Sequence, residues 1–182
     1  MLKNGLTKDE FVEMITQLAF YTILVGLMPG QCLKWERKYI KMNNKEFDKI
    51  NVFGKGNENI DYAKYFIGKS YLNPLTNPKE TVFLANVTFE PACRNNWHIH
   101  HAKSGGGQIL ICTAGSGWYQ EEGKDAVSLE PGMVITIPAN VKHWHGAKKD
   151  SWFSHIAVEV PGEETSNEWC EAVTDEAYAK LG

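Results

Sequence analysis

The stretch from Trp97 to His145 constrains this chain more than any other. It opens Trp97-His98-Ile99-His100-His101 and closes Lys142-His143-Trp144-His145-Gly146, and it holds five of the six histidines of the sequence. The sixth, His155, follows in the next strand-like segment. Successive side chains of a β-strand point to opposite faces, so His98 and His100 share one face and His143 and His145 share another. Two such pairs on neighbouring strands bring four imidazoles towards one pocket. Neutral imidazole is a ligand for Zn, Mn, Fe, Ni and Cu alike.

Around this stretch the pattern is that of short strands. Val82–Phe89, His98–His100, Gln108–Thr113, Trp118–Glu121, Ala126–Leu129, Met133–Ile137, His143–Ala147 and Trp152–Val160 are β-branched and aromatic, with turn residues between them. Glu122-Gly123-Lys124 reads as a hairpin turn. The spacing implies an antiparallel sandwich or barrel. Upstream, Thr7 and Glu10 form a capping box, and Phe11, Ile15 and Leu18 recur at helical spacing, which predicts a helix over residues 1–25. A second short helix is expected around Leu33–Ile40. Residues 46–80 read as irregular: glycine, proline and asparagine punctuate them, while Tyr62, Tyr65, Phe66 and Tyr71 mark an ordered aromatic arm lying across a sheet. A polar tail after Pro161-Gly162 ends in a helix over Thr174–Leu181, with Asp175 and Glu176 in its first turn.

The order His-x-His, Gln, Gly, then Gly, Pro and His resembles the two signature motifs of the cupin superfamily. Those motifs are His-x-His, three or four residues, Glu and Gly, then Gly, five residues, Pro-x-Gly, two residues and His. Here they fall on His98, His100, Gln108 and Gly115, then on Gly132, Pro138 and His143. The resemblance covers residues 80–160. It implies an all-β chain: a cupin-type antiparallel β-barrel, or jelly roll, with an N-terminal helix and a short C-terminal helix. The expected division is an N-terminal helical appendage (1–45), the aromatic arm (46–80), the barrel (81–161) and the tail (162–182).

The resemblance also implies one divalent transition metal (Mn, Fe, Ni or Zn) on His98, His100, Gln108 and His143. Three departures from the general pattern stand out. Gln108 replaces the usual Glu, and a neutral amide leaves more net charge on the ion, favouring Lewis-acid chemistry. Asn140 stands at the usual glycine of Pro-x-Gly, where asparagine tolerates positive φ. Seven residues separate His100 from Gln108, so Lys103–Gly107 must bulge out, and Gln108 is either the fourth ligand or a neighbouring amide. A subgroup of bacterial cupins with W-H-x-H, Gln and H-W-H-G resembles this chain in the Gln108 replacement and includes manganese hydroxynitrile lyases. His145 and His155 match that subgroup and are the expected acid–base residues, packing histidines being the alternative. His145 lies two residues, or ~6–7 Å of strand, beyond His143, which places it at a bound substrate rather than on the metal. His101 has the opposite parity and is expected on the surface.

Asn4 to Tyr21 resembles the closing helix of the carboxymuconolactone decarboxylase family. The catalytic region of that family is missing, so the segment is expected to be a packing remnant without that activity. The expected function is a metal-dependent lyase or isomerase acting on a small carbonyl, hydroxy or enolic compound. An Fe-dependent oxygenase and a non-catalytic small-molecule or metal-binding cupin are the alternatives. A net charge of −3 without a basic block argues against a nucleic-acid surface, and no apolar run reaches the ~20 residues of a membrane span. Four scattered cysteines without a C-x-x-C read as reduced core thiols. A cytoplasmic homodimer is expected, because the helix over 11–28 and the aromatic arm carry more apolar surface than one small barrel must cover.

Overall fold

The computed structural model describes residues 42–181. The helix over 1–25, the helix around Leu33–Ile40, the decarboxylase-like segment and Cys32 lie outside the described residues. The described part opens with helix α1 (Asn44–Ile50), whose N-cap Asn43 exchanges hydrogen bonds with Glu46 in a capping box. Every strand that follows pairs antiparallel with its partners. Strands β1 (Asn57–Glu58), β3 (Ser70–Pro74), β4 (Leu84–Phe89), β13 (Phe153–Glu159), β8 (Gln108–Gly115) and β11 (Val134–Ile137) form one sheet in that spatial order. The other sheet runs β10 (Val127–Leu129), β9 (Gly117–Glu121), β12 (Lys142–Ala147), β5 (Arg94–Asn95) and β2 (Phe66–Ile67). Strand β6 (His98–His101) joins it beside β12 and takes β15 (Ser166–Trp169) on its free side. Helix α2 (Asp175–Ala179) ends the described chain, capped by the Thr174 hydroxyl accepting from the Ala177 N–H. The two sheets face each other as a jelly-roll barrel.

Strand alternation explains what fills the barrel. Val87 and Phe89 of β4, Leu110 and Cys112 of β8, and Phe153 and Ala157 of β13 share one buried cluster with Tyr119, Leu129 and Ile137. The valine, leucine, isoleucine and phenylalanine side chains among them each contribute on the order of 1.5–3 kcal/mol by leaving water. The alternate residues of β4 and β13 point outwards under α1. There Asn51, Asn86, Thr88 and Ser154 satisfy one another through hydrogen bonds of 2.9–3.2 Å, as a buried polar group requires. Phe47 of α1 stacks on Trp152 beside them at 5.3 Å. On the other outer face, Trp144 packs with Val173 and Tyr178. Arg94 ties α2 down through the Val173 carbonyl and Asp175. Cys93 and Cys112 are buried free thiols and Cys170 is a half-buried one.

Two regions differ from the reading of the sequence. Residues 46–80 are not irregular throughout: β2 pairs with β5, and β3 pairs with β4 over its whole length. Ser70, Tyr71 and Leu72 therefore extend a sheet rather than lie across one. The tail likewise carries β14 (Gly162–Glu163) and β15. The eight expected strands are present with their ends shifted by a residue or two. Gly115, the last residue of the first motif, completes β8. Its φ is +69°, and an added Cβ would sit 1.8 Å from the Trp152 carbonyl oxygen. Gly115→Ala should therefore destabilise the fold by about 2–4 kcal/mol, read as a lower urea midpoint. A loss below ~0.5 kcal/mol would show that this backbone crossing relaxes freely.

Candidate metal centre

Four elements deliver the polar side chains of the barrel mouth. Strand β6 turns His98 and His100 inwards, β12 does the same for His143 and His145, β13 brings His155, and β8 begins with Gln108. All six are buried. Cross-strand pairing of His143 with His98 sets their rings 4.1 Å apart. His100 lies 5.3 Å from the His98 ring and 5.7 Å from that of His143. The expected loop between His100 and Gln108 does bulge. Strand β7 (Ser104–Gly105) pairs with β14, and the Asn140 amide both donates to and accepts from Ala102. Asn140 adopts φ 66°, so the turn survives without its glycine. The detour closes at Gln108, which re-enters the cavity.

The ring orientations are set from behind. His98 Nδ1 donates to the Asn96 carbonyl at 3.0 Å and His143 Nδ1 to the Val141 carbonyl at 2.9 Å. Each bond leaves Nε2 as the nitrogen with a free lone pair, the arrangement that metal-ligating histidines use. His100 Nε2, Gln108 Oε1 and His143 Nε2 are buried and have no hydrogen-bond partner among the described residues. Buried polar atoms are normally paired, so three orphaned donor atoms at one cavity are what an absent ligand would leave. The donor set of imidazoles and one amide oxygen suits a divalent transition metal.

His145 occupies an intermediate place. Its spacing predicts a position beyond the metal, yet ring nitrogens of His98, His143 and His145 all lie within 4.8 Å of one another. Unlike the orphaned atoms, both nitrogens of His145 have partners. Asn95 Oδ1 accepts from the His145 N–H at 2.9 Å, which turns the Asn95 amide nitrogen onto the ring, 3.1 Å from Nε2. Nε2 is then the acceptor, and Nδ1 carries the proton towards His155 Nε2 at 3.2 Å. His155 Nδ1 is buried without a partner among the described residues. His101 faces away from the cavity and pairs with Glu168 at 2.7 Å.

Burial keeps this cluster neutral. It holds His143 down to about 4 against the opposing Val141 carbonyl, with His100 lowering it further. Burial likewise holds His155 at about 4. His98 and His145 lie well below the ordinary value, first through burial and then through neighbouring imidazoles. Unfolded histidine titrates near 6.5, so between 6.5 and 4 the unfolded chain binds more protons than the folded one. The contribution of these histidines to stability is therefore complete above about 6.5 and is lost as pH falls towards 4. The urea midpoint of metal-stripped protein should fall from pH 7 to 4.5, by up to ~1.4 kcal/mol per pH unit for each histidine. A flat profile would contradict the buried neutral state.

A cavity of about 260 Å³ opens onto the cluster, walled by Tyr62, Phe66, Leu72, Phe83, Val87 and Trp169 and reached by Asn95, His98, His100, Gln108 and His145. Trp169 lies 4.9 Å from the His98 ring and stacks on Tyr65 at 4.5 Å. Asn95, Asn167 and Trp169 were not singled out from the sequence. Asn95 sits in a two-residue strand, and Asn167 and Trp169 sit in a polar tail. Their only sequence signals are the Asn-Asn preceding Trp97 and a single tryptophan in the tail.

A jelly roll whose mouth gathers His98, His143 and His145 closely enough to hold a metal ion has the architecture of a cupin. No family model matches the chain. The (R)-mandelonitrile lyase of Granulicella tundricola is 38% identical over 120 residues, which cover 65% of this chain and 88% of that protein. A cupin-like protein of Thermotoga maritima is 37% identical, with a TM-score of 0.63 over 71% of this chain and 95% of its own. The chain belongs to the cupin superfamily. No helix among the described residues is long and apolar enough to cross a membrane.

Proposed function

We propose that the protein is a metal-dependent lyase that cleaves a small cyanohydrin into an aldehyde and hydrogen cyanide. The observation that carries this reading is the trio of orphaned donor atoms, His100 Nε2, Gln108 Oε1 and His143 Nε2, at a cavity walled by aromatic side chains. The relative named (R)-mandelonitrile lyase supplies the reaction class, and an aryl group fits such walls. His98, His100, Gln108 and His143 would hold the ion. When bound, a divalent metal supplies Lewis acidity at the substrate oxygen.

The residues of the chain do the rest. His145 Nε2, released from Asn95, accepts the hydroxyl proton. Its own Nδ1 proton moves along the 3.2 Å hydrogen bond to His155 Nε2. The electron pair of the broken O–H bond forms the carbonyl, and the C–CN bond breaks with its pair leaving on cyanide. Return of the proton to cyanide gives hydrogen cyanide and restores both neutral rings. Proton transfer of this kind needs a base that is unprotonated at neutral pH, which burial ensures for both histidines. The aromatic wall excludes water from the reacting carbon.

The test is turnover of racemic mandelonitrile by protein reconstituted separately with Mn, Fe, Ni and Zn, with benzaldehyde and cyanide both quantified. Equimolar release of the two with at least one metal is expected. Dioxygen consumption without cyanide release would move the reading to an oxygenase. Metal uptake without turnover would move it to a binding protein. The same reading has the enzyme act as a cytoplasmic homodimer. Ile50, Val52, Phe53 and Ile60 are exposed apolar residues among those described, and a sedimenting monomer at micromolar concentration would overturn the dimer.

A further inference from the structure

We propose that Glu159 makes the entrance to this site charge-selective, admitting neutral and cationic compounds and turning acids away. The inference rests on the reading of the cavity as a small-molecule site, and it adds a residue outside the donor set and the proton-accepting pair. Glu159 ends β13 and is the direct cross-strand partner of Gln108. Its side chain therefore stands at the rim where the long loop returns to the cavity. A second, polar cavity of about 320 Å³ adjoins the first. Phe83, His100, Glu159 and Asn167 line both cavities. They form the partition between a polar antechamber and the aromatic chamber.

Among the described residues Glu159 is the only acidic one lining either cavity, and no lysine or arginine lines them; His101, which lines the second, is paired with Glu168. Asn167 Nδ2 donates to Glu159 Oε1 at 3.2 Å, which fixes one carboxylate oxygen against the partition. Glu159 itself is exposed, so a ligand approaching His100 past the partition meets a negative charge held at the surface of the rim. The repulsion is that of a surface charge and weakens as salt is added. An acid meets repulsion from Glu159, since the one cationisable side chain at this rim outside the buried histidine cluster, His101, is already paired with Glu168, whereas a neutral aldehyde or cyanohydrin meets none. Such a rim favours specificity by rejection of the wrong partner.

The test compares two probes of the same shape, benzamide and benzoate, with wild type, Glu159→Gln and Glu159→Lys. Affinities are read by quenching of tryptophan fluorescence at neutral pH, in metal-free and in metal-loaded protein. Wild type should bind benzamide more tightly than benzoate when metal-free. At low ionic strength Glu159→Gln should tighten benzoate by about 3–5-fold and Glu159→Lys by more, both leaving benzamide within about twofold. The same ordering of variants is expected in the metal-loaded form, where the ion itself attracts benzoate. A parallel change for both probes would mean that Glu159 shapes the entrance without selecting charge, which overturns the proposal. An unchanged benzoate affinity in both variants would also overturn it. Failure of benzamide to bind any form would overturn the cavity assignment together with the proposal. Because binding is measured without turnover, absence of lyase activity leaves the charge comparison fully readable.

Discussion

His143→Ala is expected to lower metal affinity by more than about 100-fold while leaving a folded barrel. The His143 ring is fully buried, its Nδ1 is fixed by the Val141 carbonyl at 2.9 Å, and its Nε2 has no partner among the described residues. In the metal-free protein that buried, unpaired nitrogen is itself a cost, so removing the ring deletes a liability as well as some packing. The melting temperature of metal-free variant should stay near that of metal-free wild type. With metal added, wild type should gain stability by mass action and the variant should not. His98→Ala should behave alike. The readouts are bound metal after dialysis and the metal-dependent shift in melting temperature. Unchanged metal content in both variants would end the assignment of this centre.

His145→Ala should instead retain the metal and lose on the order of 10²–10⁴ in rate, the range for removing a general base. Both ring nitrogens of His145 are engaged, by Asn95 at 3.1 Å and by His155 at 3.2 Å. Removing the ring therefore breaks a proton path and leaves the orphaned donors untouched. His155→Ala should cost less, because His145 Nε2 still receives the substrate proton and only its onward passage is lost. The competing outcome is definite. Ring nitrogens of His145, His98 and His143 lie within 4.8 Å of one another, so loss of metal from His145→Ala would make His145 a ligand. Undiminished turnover would remove it from the chemistry altogether.

Much of this site could be read from residue order alone, for a physical reason. Alternation along a strand is local, so His98 with His100 and His143 with His145 announce their shared faces. Apolar alternation in 82–89 and 152–160 likewise announces the sheet that buries them. Asn140 announced its left-handed turn because few residues tolerate that conformation. The rest depends on pairing partners distant in the chain. Strands β1 to β3 are short and half exposed, so no apolar alternation marks them, and their asparagines and glycines mimic a loop. Strand β15 reads Ser-Asn-Glu-Trp, a polar edge whose role is set by its neighbour β6. Asn95 is one amide in a two-residue strand, and only the opposed backbone of His145 gives it a task. The convergence of the His145 ring on those of His98 and His143 also escaped a spacing argument, since distance along a strand does not fix where ring nitrogens point.

The pairing of β15 with β6 has a consequence for the order in which the site matures. During synthesis the chain emerges from its N-terminal end, and the last donor residue, His143, is made before the strand that flanks His98 and His100. Until residues 166–169 are added, β6 has β12 on one side and an open edge on the other. It then carries two metal-seeking side chains on an unprotected strand. Trp169 and Asn167 arrive together on the closing strand, opposite His98 and His100 respectively. Synthesis of the proposed ligands and closure of the chamber are thus separate in time. A chain stopped before residue 166 would hold every proposed ligand yet lack the wall that distinguishes an enzyme pocket from a sticky, metal-scavenging edge.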